Sequence, residues 1–137
     1  PPLTTDTTIE EIIDNFSFLD EWDDRYGYLI ELGKSLTPLG EDQMIDLNKV
    51  QGCVSQVWLV HENNDGVLTF NGMSDAHIVR GLVAILDRAY QGQRVEDLAG
   101  IDIEGAFVRI GLAQNLSSNR RSGFFAKVER IRLVHGQ

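Results

Sequence analysis

Cys53 is the only cysteine in the 137-residue chain, and it stands in the stretch VQGCVSQVW, residues 50–58. A lone thiol closes no disulfide within its own chain and builds no multi-cysteine metal site. Two readings stay open: a small packed core residue, since free cysteine is among the most buried types, or a reactive nucleophile. The position favours presentation. Gly52 precedes it at a loop-to-strand junction, where a backbone turns sharply and displays a side chain.

The remaining chemistry-bearing residues are sparse. His61, His77 and His135 are the only histidines, and no local hydrolase signature accompanies any of them. One Cys and three scattered His lack the paired spacing of a zinc site. There is no P-loop and no GxGxxG, so no nucleotide is implied. Asp75 reads as a helix cap, and Arg120 with Arg121 as exposed bases before a last helix.

The elements that must position Cys53 follow from periodicity. Thr7-Thr8-Ile9-Glu10 carries a capping box, and Ile9, Ile12, Ile13, Phe16 and Leu19 recur at helical spacing. Asp20 caps a second helix bearing Trp22, Tyr26, Leu29 and Ile30, ended by Gly33. Residues 34–49 hold Pro38 and Gly40 without a clean period and read as a loop. Residues 54–61 read as a strand that alternates and then turns wholly apolar over 57–60, hence buried on both faces towards its end. Asn63-Asn64-Asp65-Gly66 is a hairpin turn, Val67–Phe70 the return strand, and Asn71-Gly72 a second turn. Ser74 or Asp75 caps a helix through Ile78, Val79, Leu82, Val83, Leu86 and Tyr90, ended by Gly92. Residues 93–100 are a short helical turn or loop. A helix over 104–116 is weakened by Gly105 and Gly111. Residues 117–122 interrupt, and Phe124, Phe125, Val128 and Ile131 define a last helix. The order is two helices, two or three strands, then several helices: an α+β domain with a small antiparallel sheet covered by helices.

Composition sets outer bounds. Hydrophobic content of 42% and charged content of 24% are ordinary for one globular domain. No apolar run is long enough to span a bilayer, and no charged-then-apolar leader opens the chain. A single unpaired thiol fits a reducing compartment, the cytoplasm. The net charge of −9 lies in the first half: residues 1–50 hold 12 Asp and Glu against 3 Lys and Arg, and the rest holds 9 of each. Such a chain repels nucleic acid. The acidic half reads as a solvated surface, or as a docking face for a basic partner.

Three segments in order, VQGCVSQVW (50–58), NGMSDAHIVRGL (71–82) and LSSNRRSGF (116–124), resemble the SufE family, which includes the CsdE proteins. The likeness runs from about residue 9 to residue 134. Gly52, Cys53, Ser55, Gln56, Val57 and Trp58 match the first motif. Gly72, Ser74, Asp75, Ile78, Val79, Gly81 and Leu82 match the second, and Leu116, Arg120 and Gly123 the third. Ser118 stands where family members often have proline, which leaves the entry to the last helix less rigid.

The resemblance implies one SufE-like domain over residues 1–137, with 1–6 a flexible terminus, and a fold similar also to the IscU-type scaffolds. Those scaffolds need three cysteines among their metal ligands, which excludes that role here. It implies a sulfur acceptor: a pyridoxal-phosphate cysteine desulfurase of the SufS or CsdA type passes persulfide sulfur to Cys53. The acceptor stimulates the desulfurase and hands sulfur on to an iron–sulfur scaffold. Gln51, Gly52, Ser55, Gln56, Asp75 and Arg120 are then partner- or loop-supporting residues. The chain is an accessory protein with no cofactor of its own; the pyridoxal phosphate belongs to the partner. One thiolate attacking a sulfane sulfur suffices, as in thiol–disulfide exchange. Val50, Val54 and Trp58 flank the site as a shield. Two readings compete: a cysteine-dependent hydrolase or transferase using a histidine, and a protein-binding regulator with an incidental cysteine.

Overall fold

A computed structural model describes residues 8–53, 55–112 and 116–132. The expected flexible terminus, the Thr7 cap, Val54 and His135 lie outside these residues. Five α-helices and one hairpin are described: α1 (Ile9–Ser17), α2 (Trp22–Lys34), β1 (Val57–Asn64), β2 (Val67–Ser74), α3 (His77–Tyr90), α4 (Ile103–Ile110) and α5 (Ser118–Arg132). Short 3₁₀ turns cover Asp46–Asn48 and Val95–Gly100. The class is α+β with a two-stranded antiparallel sheet; the optional third strand is absent among the described residues.

The hairpin runs in continuous register from Val57↔Ser74 to Asn64↔Val67. Its two-residue loop is Asp65-Gly66, at φ 53° and 89°, the left-handed geometry that matches the twist of paired strands. The second turn expected at Asn71-Gly72 is instead strand, paired with Val60 and Leu59. Gly72 is there for closeness: a Cβ would lie 2.6 Å from Val83 Cγ1 of α3. Val57 and Leu59 are buried, whereas Trp58 and Val60 are only half-buried. The strand thus buries one face, not both, because helices pack on a single side of the sheet.

The central helix is α3, which contacts α1, α2, α5 and β2 and buries nine of its residues. The helix α2 lies against it at backbone contact. A Cβ on Gly33 would come 2.7 Å from Arg80 Cβ, and one on Gly81 would strike the Leu29 carbonyl. Gly33 is therefore not the stop signal read from sequence; it lies inside α2 as a contact residue.

Several boundaries differ by local chemistry. Thr8 caps α1, its side chain accepting the Glu11 N–H at 3.2 Å. Glu21 rather than Asp20 precedes α2 and makes no side-chain cap. Gly111 stops α4 in the left-handed conformation at φ 85°, so the helix expected over 104–116 ends at Ile110. The last helix begins at Ser118, inside the expected interruption. Its first turns are polar and carry no apolar period, and Ser117 Oγ accepts the Arg120 N–H at 3.2 Å, as an N-cap does.

Candidate functional site

The cysteine loop is a closed loop at the entry to β1. Val50 N–H donates to the Val57 carbonyl at 2.9 Å, and Lys49 bridges Trp58 in antiparallel fashion. The chain between must reverse, and Gly52 does so at φ 88°, a conformation that costs an ordinary residue about 1–2 kcal/mol. Cys53 follows this bend and is half-buried.

Helix α5 covers the loop. A Cβ on Gly52 would lie 3.3 Å from Ala126 Cβ. The Cys53 Sγ lies 3.6 Å from the Gly123 carbonyl oxygen. Arg130 donates to the Lys49 carbonyl at 3.1 Å and to that of Leu47 at 3.4 Å, tying the loop's stem to the same helix. Arg120, Gly123, Lys127 and Arg130 recur at spacings of three, four and three, so one face of α5 serves the cysteine.

Between loop and helix lies a cavity of about 140 Å³ lined by Cys53, Ser55, Val79, Asn119, Arg120, Gly123 and Lys127. Several times the size needed to hold a water, it has room for one more sulfur atom on Cys53. A second cavity is lined by loop residues alone: Lys49, Val50, Gln51, Gly52, Cys53, Ser55 and Gln56. Cys53 thus lines both cavities. Neither His61 nor His77 lines either cavity, so the described residues offer Cys53 no histidine base.

Lys127 is the residue the sequence reading missed. It is only 2% exposed, and its ammonium donates to the Gly123 carbonyl at 3.2 Å. Burial pushes its pKa below the usual lysine range, and the neighbouring Cys53 sulfur pulls it back up by charge and a hydrogen bond. Its helical spacing from Gly123 and Arg120 was the available signal.

The expected supporting residues divide. Asp75 does not cap α3: Ala76 holds the N-cap position, and Ser74 Oγ accepts the Ala76 N–H at 3.1 Å. Instead Asp75 braces the loop. Its Oδ1 accepts the Gln56 N–H at 3.1 Å and its Oδ2 the Gln56 side-chain amide at 3.4 Å. Its own N–H donates to the Gln56 carbonyl at 3.3 Å. Ser55 lines both cavities, Arg120 the one facing α5, and Gln51 the second one. Arg121 is exposed and lines neither. Of the expected shield, Val50 is 5% exposed and in the core. It also lines the second cavity, whereas Trp58 lines neither; besides Ser55, the residues that line the first cavity with Cys53 come from α3 and α5.

No group of three or more His, Cys, Asp or Glu among the described residues is arranged to hold a metal ion. No described helix is long and apolar enough to cross a membrane.

Residues 10–134 match the family model SufE, described as an Fe-S metabolism associated domain. The chain is 51% identical over 130 residues to an uncharacterized SufE-like protein of Rhizobium meliloti (strain 1021), covering 92% of this chain and 93% of that protein. It is 50% identical over 129 residues to an uncharacterized SufE-like protein of Rhizobium etli, covering 91% and 87%. Among solved structures it resembles a hypothetical protein from Thermus thermophilus, with a TM-score of 0.72 at 17% identity, over 92% of this chain and 91% of that one. At that identity the likeness speaks for the fold alone.

Proposed function

The chain belongs to the SufE family, and from that premise we propose that it is a sulfur acceptor, taking persulfide sulfur from a pyridoxal-phosphate cysteine desulfurase onto Cys53. The observation that carries the reading is a lone thiol beside a 140 Å³ cavity that also holds the side chains of Arg120 and Lys127. Sulfur carried as a persulfide is anionic at neutral pH, and two cations on one wall suit it. Enclosure between loop and helix limits loss of the sulfur to other thiols and oxidants.

The transfer needs one nucleophile. The Cys53 thiolate attacks the outer sulfur of the donor persulfide. A new S–S bond forms at Cys53, the donor's S–S bond breaks, and its electron pair leaves on the donor's inner sulfur as a thiolate. No electrons are gained or lost overall, and no cofactor of this chain is required. The sulfur then passes by the same chemistry to an iron–sulfur scaffold. In this reading the chain is an accessory protein that speeds the desulfurase by clearing its persulfide, and it works in a reducing compartment such as the cytoplasm.

Cys53→Ser tests the role. The change is small, so the variant folds and still binds the desulfurase. Stimulation of sulfide or alanine production should fall almost to the level of desulfurase alone. Stimulation at the wild-type level contradicts the acceptor role and makes the chain a regulator acting through its surface.

A further inference from the structure

A lysine with 2% of its surface exposed calls for a reason, since burying an ammonium is costly unless it is paired. Lys127 and Cys53 converge on one point: the Gly123 carbonyl accepts from Nζ at 3.2 Å and from Sγ at 3.6 Å. Gly123 lies between the two groups: a Cβ built there would be in van der Waals contact with both, 3.4 Å from the Cys53 sulfur and 3.7 Å from the Lys127 nitrogen. Carbonyl contact satisfies one of the three ammonium donors. The other described group that the ammonium is drawn to is the Cys53 sulfur.

We propose that Lys127 is a catalytic residue of sulfur acceptance: it takes up the Cys53 thiol proton and stays beside the sulfur as its counter-ion, first for the thiolate and then for the persulfide anion. This rests on Cys53 being the acceptor. The proton balance is simple. Counted from the uncharged pair, the Lys127 amine receives the proton from Sγ, giving an ammonium–thiolate pair. The thiolate attacks the donor's outer sulfur, and the donor's inner sulfur leaves as a thiolate. Any proton on the outer sulfur passes to that leaving thiolate. The new persulfide anion then lies against the Lys127 ammonium in the cavity.

Other charges lie around the cysteine loop. Arg120 comes from α5 and Lys49 from the loop's stem, each lining a cavity that Cys53 lines. Asp75, at the start of α3, opposes them from behind Gln56. Lys127 differs from Arg120 in being able to exchange a proton at accessible pH. It differs from Lys49 in being buried, where a neighbouring charge acts with little screening.

The test is the rate of Cys53 alkylation by iodoacetamide across pH, in the wild type and in Lys127→Met, whose unbranched apolar chain suits the buried site. The rate follows the thiolate fraction. At pH 7 the variant should react more slowly than the wild type. The gap should close at alkaline pH, where the thiol ionises unaided. Superposed profiles, or a gap that stays constant at every pH and so reports access, overturn the assignment. Should Lys127→Met fail to fold, the pair is read from its other side, by the pH dependence of the Lys127 Cε NMR signal in the wild type and Cys53→Ser. Loss of the sulfur's attraction should move the Lys127 titration to lower pH; an unmoved titration overturns the pairing. Neither readout involves a desulfurase. A wild type that pairs but never gains sulfur removes the acceptor role, and one that gains sulfur without pairing removes only the part given to Lys127.

Discussion

At the scale of residues, the burial of Lys127 has a consequence for stability as well as for chemistry. Its folded pKa lies below the ordinary lysine value of 10.5, chiefly because burial disfavours the charge. Between those two values the unfolded chain binds more protons than the folded one, so stability rises with pH across the window. Denaturant unfolding should show that rise as pH climbs towards 10.5, and Lys127→Met should flatten it. An equal slope in both proteins places the ammonium's cost elsewhere. A second contrast is between neighbours: Arg120 lines the cysteine cavity and Arg121 is exposed. Arg120→Ala should therefore weaken desulfurase activation more than Arg121→Ala, measured as sulfide production at saturating acceptor. Equal small effects make the pair a generic basic surface. Cys53 was legible in the sequence because it is unique and follows a glycine. Lys127 was not, because a lysine within a helical period reads as a solvent-facing residue until its neighbours in space are known.

At the scale of elements, the cysteine loop is held at three places: its base by the Val50–Val57 hydrogen bond, its stem by Arg130, and its exit by Asp75 on Gln56. Asp75 is a brace made of hydrogen bonds to exposed groups, so its loss leaves the core intact. Asp75→Ala should speed hydrogen exchange over residues 50–56 or alter desulfurase affinity. Its global stability should change by about 1 kcal/mol, the scale of exchanging such bonds for water. Unchanged exchange together with unchanged affinity returns Asp75 to a passive position. The sequence placed Asp75 in a motif yet read it as a cap, since an Asp before a helix is an ordinary capping signal. Only the hairpin register, which sets Ser74 opposite Val57, brings Asp75 beside Gln56. The start of α5 was hidden for the opposite reason: Ser118, Asn119, Arg120 and Arg121 are polar, and periodicity sees only buried faces.

At the scale of the whole molecule, the fold follows from helices of clear apolar period packed on one side of a short hairpin. That much was legible: the apolar faces of α1 and α3, the Asp65-Gly66 turn and the stop at Gly92 are where the spacing puts them, though the helix caps are not. The glycines misled where packing, not turning, explains them. Gly33 and Gly72 resemble punctuation in sequence, yet both allow close approach to α3, which sequence spacing alone does not reveal. The same packing brings α5 over the cysteine loop from 70 residues away, and it assembles the site from three segments that are far apart in the chain. The most direct test of the sulfur-acceptor account is mass spectrometry of the intact protein and its Cys53 peptide after incubation with a desulfurase, pyridoxal phosphate and cysteine. The account predicts a gain of one sulfur atom, located on Cys53, removed by reductant and absent in Cys53→Ser; an unmodified Cys53 beside a demonstrably persulfidated desulfurase contradicts it.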